Sequence, residues 1–242
     1  MSCFSRARSE SADADSDRAK IPQESLHPFE LATGAEARWT GTPGLRTVVC
    51  VDGGTAAETP GTWSASVEWL VRRLAGGHPS LAFLELRYRL KSWRRLELCI
   101  EDARAAVAVA RDAGAVEIAL LGFSMGGAVA VHVADDPAVS TVIALAPWLY
   151  PELDVSPLDG RRFAVLHGSL DRGLPGIPGV RPELSLRGFE RARARGVDAD
   201  RTVIEGAIHP IALRAPWGGT VPMPKARRWA DLVDEELARF CG

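Results

Sequence analysis

Short apolar runs that stop abruptly at glycine or aspartate alternate along this chain with stretches whose apolar residues recur every three to four positions. Val48-Val49-Cys50-Val51 is the first such run, and it ends at Asp52-Gly53-Gly54. An apolar run without polar alternation suits a strand buried on both faces. After it, Val67, Leu70, Val71 and Leu74 share one helical face, with Thr62 placed to cap the helix and Gly76-Gly77 to stop it. The pattern repeats as strand 81–86, helix 96–113 with Cys99, Ile100, Ala103 and Val107 on one face, and strand 116–121. Helix 125–133, strands 141–145 and 163–166, a helix from Pro182 to Gly196, strand 202–204 and a last helix bearing Trp229, Leu232, Val233 and Leu237 complete it. Residues 29–40, broken at Thr33 and Gly34, read as an edge hairpin.

Strands that alternate with helices demand an α/β fold, a mostly parallel sheet with helices on both faces, and place the ligand site outside the carboxyl ends of the strands. A chain of 242 residues suits one such core. The expected organisation is a disordered tail over 1–25 and one domain over 26–242. The tail is too polar to bury, and its Glu10, Asp13, Asp15 and Asp17 disfavour a transit peptide. With no apolar stretch long enough for a secretory signal or a membrane span, a cytoplasmic location and no membrane partner are expected. A formal net charge of -2 offers no field for nucleic acid. The four cysteines form no metal or redox motif and read as reduced thiols, with Cys50 and Cys99 acting as small hydrophobes.

The segment Gly122-Phe123-Ser124-Met125-Gly126-Gly127 follows the most apolar strand and opens a helix. On its own it has two readings: a serine held in a strained strand-to-helix turn and projecting into a cleft, or an N-cap serine in a glycine-rich turn. In this setting it resembles the nucleophile elbow of the α/β-hydrolase superfamily, and the order of elements from about Phe29 onward is similar to that family.

The resemblance implies Ser124 as nucleophile, followed in chain order by an acid and a histidine. His209 follows the last strand and takes the catalytic histidine's place; its alternative is a structural loop histidine. Leu166-His167-Gly168-Ser169-Leu170-Asp171 resembles the family's H-G-x-x-D motif. On that match Asp171 is the acid and His167 shapes the turn. Asp154 is the reserve acid, and a turn aspartate bonded to its own backbone is the alternative for Asp171. His27, His78 and His132 lie before the sheet, on the far side of a turn and down the helix, and read as surface or packing residues.

The oxyanion donors implied by the family are the amides of Met125 and Gly54. This chain departs from the family in carrying Asp52-Gly53-Gly54 where relatives often have His-Gly, so Asp52 has to point away or bind backbone amides. The loop 147–162 is too short for a lid domain. The resulting open site is rimmed by Trp93, Trp148, Tyr150 and Trp217, for which packing under loops is the competing reading. Arg87, Arg89, Lys91, Arg94 and Arg95 crowd the ligand edge, either steering an acidic substrate or simply solvated.

The expected activity is hydrolysis of a carboxylic ester or thioester of a small molecule through an acyl-enzyme, with no metal or organic cofactor. Amide or peptide cleavage by the same residues, and a non-catalytic binding protein on the same fold, are the alternatives. The likeness is to small lidless members, including those grouped with dienelactone hydrolases, whose nucleophile is typically cysteine where this chain has Ser124.

Overall fold

The computed structural model describes residues 27–173 and 179–242. The tail expected over 1–25 lies outside the described residues. The chain opens with β1 (Phe29–Glu30) and β2 (Glu36–Thr40), the expected edge hairpin, and enters the sheet centre as β3 (Arg46–Val51). A two-residue strand, β4 (Thr59–Pro60), precedes α1 (Ala65–Leu74). Ser64, not Thr62, caps this helix, its hydroxyl accepting from the Val67 amide at 3.4 Å. The first turn starts after Ser64, so Thr62 stands too early to reach an orphan amide.

β5 (Ala82–Arg87), β6 (Leu90–Lys91), α2 (Leu96–Asp112), β7 (Glu117–Phe123), α3 (Met125–Val133), β8 (Val139–Leu145), β9 (Arg162–Gly168), α4 (Pro182–Ala194) and β10 (Asp198–Ile204) follow. Beyond them β11 (Ala212–Arg214) and β12 (Thr220–Pro222) pair as a ribbon before α5 (Ala226–Cys241). The main sheet has the order β1-β2-β5-β3-β7-β8-β9-β10. It is parallel from β5 to β10 and antiparallel only at the β1-β2-β5 edge.

The chain moves outward from β3 to β5, then returns to place β7 on the other flank of β3. That reversal is the crevice in which open α/β sheets hold ligands. One face of the sheet packs on α1 and α5 through Val67, Leu70, Trp229 and Val233; the other packs on α2, α3 and α4 through Ala103, Val129 and Ala192. Residues 146–161, between β8 and β9, hold one short 3₁₀ turn at Ser156–Leu158 and no inserted lid domain.

Candidate active site

Ser124 stands in the step between β7 and α3 with φ 57° and ψ −118°, in the left-handed half of backbone space that non-glycine residues avoid. The turn is tight enough that a Cβ on Gly122 would lie 2.3 Å from the Gly126 carbonyl oxygen, and one on Gly126 would lie 2.4 Å from that of Val51. The Ser124 hydroxyl makes no capping bond to α3. Its Oγ instead lies 3.1 Å from Nε2 of His209, which sets aside the reading of an N-cap serine.

The second nitrogen of His209, Nδ1, lies 2.7 Å from Oδ2 of Asp171. All three residues follow strands, β7, β9 and β10, so the parallel sheet delivers them to one edge. The acid and histidine loops are stitched together: Ser169 and Leu170 amides donate to the Ile204 and Ala207 carbonyls, at 3.0 and 2.9 Å, and the Gly206 amide donates to Ser169 Oγ at 2.9 Å. Phe123 packs its ring 5.1 Å from that of His209.

Asp171 is fully buried. Burial alone would raise its carboxyl, but hydrogen bonds from His167 and His209 hold it below the usual carboxylate range. Its Oδ1 accepts from the Val180 amide at 2.9 Å, nine residues away, so it is not an aspartate closing its own turn. His167 shapes this corner from the far side, its Nε2 lying 2.9 Å from the Val180 carbonyl and 3.1 Å from Asp171 Oδ2. Asp154 is spent locally on Ser156, whose amide and hydroxyl donate to it at 2.9 and 2.6 Å.

Asp52 is buried beside the elbow: a Cβ on the adjacent Gly53 would lie 3.1 Å from that of Ser124. Its carboxylate meets the Lys91 ammonium at 2.5 Å, and its carbonyl accepts from the Tyr88 hydroxyl at 3.1 Å. Among the described residues the Asp52 carboxylate is held by a side-chain cation, not by the backbone amides expected, and its charge is offset. Lys91 came into view only as one of a basic run, and nothing nearby in sequence marks Asp52 as its partner. The rest of that run is largely paired too. Arg87 meets Glu36, Arg89 meets Glu101, and Arg95 meets Glu97 at 2.8 Å and Glu58 at 3.5 Å. These pairings leave little free positive charge to steer an anion.

The amides of Gly54 and Met125 donate to no other group among the described residues. Ser66, on α1, had no sequence signal at all. Its buried hydroxyl donates to the Ala212 carbonyl at 3.2 Å and accepts from the Ile211 and Ala212 amides at 3.1 and 3.2 Å. One side chain on α1 thus holds the backbone just beyond His209.

The four aromatic residues expected at the rim separate. The Trp148 amide donates to the Ser124 carbonyl at 2.9 Å and the Trp93 amide to the Thr55 carbonyl at 3.1 Å, which sets both backbones beside the elbow and the Gly53-Gly54 loop, while the Trp148 ring packs 4.7 Å from that of Tyr150. Tyr150 turns away to His132, its hydroxyl 2.9 Å from Nε2. Trp217 stands in the turn of the β11-β12 ribbon. Cys50 and Cys99 are buried, which pushes the Cys99 thiol up to about 11 and that of Cys50 well above its ordinary value.

No family model matches the chain, and no curated protein matches it in sequence. Solved structures do match. MGS-M1, an α/β hydrolase enzyme from a Medee basin deep-sea metagenome library, is 17% identical with a TM-score of 0.65, the match covering 89% of this chain and 98% of that one. An α/β serine hydrolase homologue from Coxiella burnetii is 18% identical over 89% of this chain and 97% of its own, at a TM-score of 0.62. A serine hydrolase without a lid from Xanthomonas campestris is 18% identical over 78% and 87%, at 0.57. The fold of this chain is that of the α/β hydrolases, in the form that lacks a lid domain.

Proposed function

We propose that this protein is a serine hydrolase that cleaves a carboxylic ester or thioester through an acyl-enzyme. The observation that carries the reading is the row Ser124 Oγ, His209, Asp171, with separations of 3.1 and 2.7 Å at the carboxyl edge of the sheet. A serine hydroxyl is a weak nucleophile at neutral pH and needs an adjacent base, and the base needs a carboxylate to fix its tautomer. Asp171 accepts a hydrogen bond from Nδ1–H and stays ionised, which leaves Nε2 as the unprotonated nitrogen that takes the Ser124 proton as Oγ attacks the carbonyl carbon. The tetrahedral oxyanion is held by the unengaged amides of Met125 and Gly54. His209 then passes its proton to the leaving alcohol or thiol. Water, deprotonated by the same Nε2, attacks the acyl-Ser124 ester and releases the acid.

Two further features support it. The positive φ at Ser124 is strain of the kind held at functional sites. Lys91 pairs with the Asp52 carboxylate beside the elbow, a charge that would otherwise oppose an oxyanion.

The test is turnover of p-nitrophenyl esters and acyl thioesters of graded length. Ser124→Ala and His209→Ala abolish it, and Asp171→Asn lowers kcat by roughly 10³- to 10⁴-fold at little cost in fold. Full activity in Asp171→Asn would overturn the assignment. Cleavage of anilides or peptides with no ester turnover would move the protein to the amidases.

A further inference from the structure

The chain does not run straight from His209 into α5. β11 and β12 form a separate two-stranded ribbon, with Ala212 opposite Pro222, Leu213 opposite Val221 and Arg214 opposite Thr220. Its turn is closed by the Ala215 amide on the Gly219 carbonyl and the Gly218 amide on the Ala215 carbonyl, at 2.8 and 2.9 Å.

One face of the ribbon is tied to α1. Ser66 holds the Ala212 backbone, and the Arg214 guanidinium meets Glu68 at 2.9 and 3.2 Å. Alternation along a strand then turns Leu213 and its cross-strand partner Val221 outward. They are 40% and 43% exposed, and Trp217 in the turn is 80% exposed. A ribbon made to face water carries its polar residues outward. Here the apolar pair faces out, while Arg214, its side chain 36% exposed, reaches back to Glu68.

Arg214 is spent on Glu68 and Arg228 lies 3.6 Å from Glu235, but the chain that flanks the ribbon carries charge of one sign. Between Glu205 and Asp231 the sequence holds Arg214, Lys225, Arg227 and Arg228 and no acidic residue, in a chain whose formal net charge is -2.

We propose that the ribbon docks the protein on an anionic lipid surface, with Trp217 in the headgroup region, Leu213 and Val221 against the acyl boundary, and the neighbouring cations facing lipid phosphate. Indole prefers the interface, where one end is wet and the other apolar, and cations add electrostatic attraction to anionic lipid. A second copy fits this face poorly. It would set one cationic segment against another, and three side chains fall far short of the roughly 1,000 Å² that a stable protein interface buries. The ribbon starts three residues beyond His209, so docking brings the histidine side of the site to the lipid. No helix among the described residues is long and apolar enough to cross a membrane, and lying in the headgroup region requires none.

The proposal stands apart from the hydrolase reading, and its test reads binding alone. The full chain is floated with vesicles of phosphatidylglycerol and phosphatidylcholine (about 3:7) and with phosphatidylcholine alone, at low and high salt. Wild type binds the anionic vesicles, binds the neutral ones far more weakly, and loses affinity in high salt. Trp217→Ala weakens binding about tenfold, and Arg227→Gln with Arg228→Gln roughly twenty-fivefold. All three positions are exposed, so the variants should melt within about 2 °C of wild type. Failure to bind anionic vesicles would overturn the proposal. So would equal binding by Trp217→Ala, or equal affinity for soluble polyglutamate, which would mean an acidic protein partner. A concentration-dependent dimer lost in Trp217→Ala would make the ribbon a self-interface instead.

Discussion

Replacing Lys91 with methionine tests whether the pairing of Asp52 is what makes this elbow workable. The substitution removes the ammonium 2.5 Å from a carboxylate that is only 4% exposed and keeps the length of the apolar stem. Stripping one partner from a buried ion pair costs about 3–5 kcal/mol. The Lys91 side chain is 16% exposed, so water screens the pair and the lower figure, about 3 kcal/mol, applies. For a chain of this length that is a fall in Tm of roughly 6–12 °C. The bared carboxylate also opposes the oxyanion. A unit charge about 10 Å away at an effective dielectric near 20 is worth ~1.7 kcal/mol, or roughly fifteenfold in kcat. The assay is calorimetry beside p-nitrophenyl ester turnover, with Asp52→Asn/Lys91→Met in parallel. Removing both charges should return kcat to within about threefold of wild type and recover most of the Tm. If the double variant is as slow and as unstable as Lys91→Met, charge compensation is not the role of Lys91.

Ser66→Ala strands the Ile211 and Ala212 amides. It should cost about 2–4 kcal/mol by denaturant unfolding and lower kcat more than it changes KM; an unaltered kcat would show that His209 needs no tether from α1. Ser124→Gly should be inactive but more stable than Ser124→Ala by about 1 kcal/mol, because glycine relieves the positive φ; equal melting of the two would mean the turn stores no strain. The folded-state pKa of Asp171 lies below its unfolded value of about 3.9. Its contribution to stability is therefore complete above that value and is lost as pH falls through the folded one. Between about pH 5 and pH 2 wild type should lose Tm more steeply than Asp171→Asn, and parallel slopes would refute the depressed carboxyl. Asp154→Asn should leave turnover unchanged, since that carboxylate serves only Ser156.

The central architecture was legible because buried parallel strands announce themselves as unbroken apolar runs. β3 and β7 fell within a residue or two of their observed ends. β10 did not: it begins at Asp198, four residues before the stretch read from sequence, because as an edge strand it buries only Ala199 and Ile204 and its charged residues look like loop. The β11-β12 ribbon was hidden for another reason. Pro216, Gly218, Gly219, Pro222 and Pro224 punctuate it, and such residues read as turn.

Ser124, Asp171 and His209 could be picked out because each follows a strand and the order of strands is readable. The bonds between them join residues 38 and 85 positions apart. What could not be read were partnerships with no local pattern, Lys91 with Asp52 and Ser66 with the backbone beyond His209. Both arise from how loops fold over the strand ends.

The most direct measurement of the central claim is covalent capture of the nucleophile. The native protein is treated with a fluorophosphonate, and the modified peptide is located by mass. One adduct is expected, on Ser124, at a rate that collapses in His209→Ala and falls in Asp171→Asn while both variants remain folded. Well-folded wild type that takes up no label, or label on another serine, would contradict it.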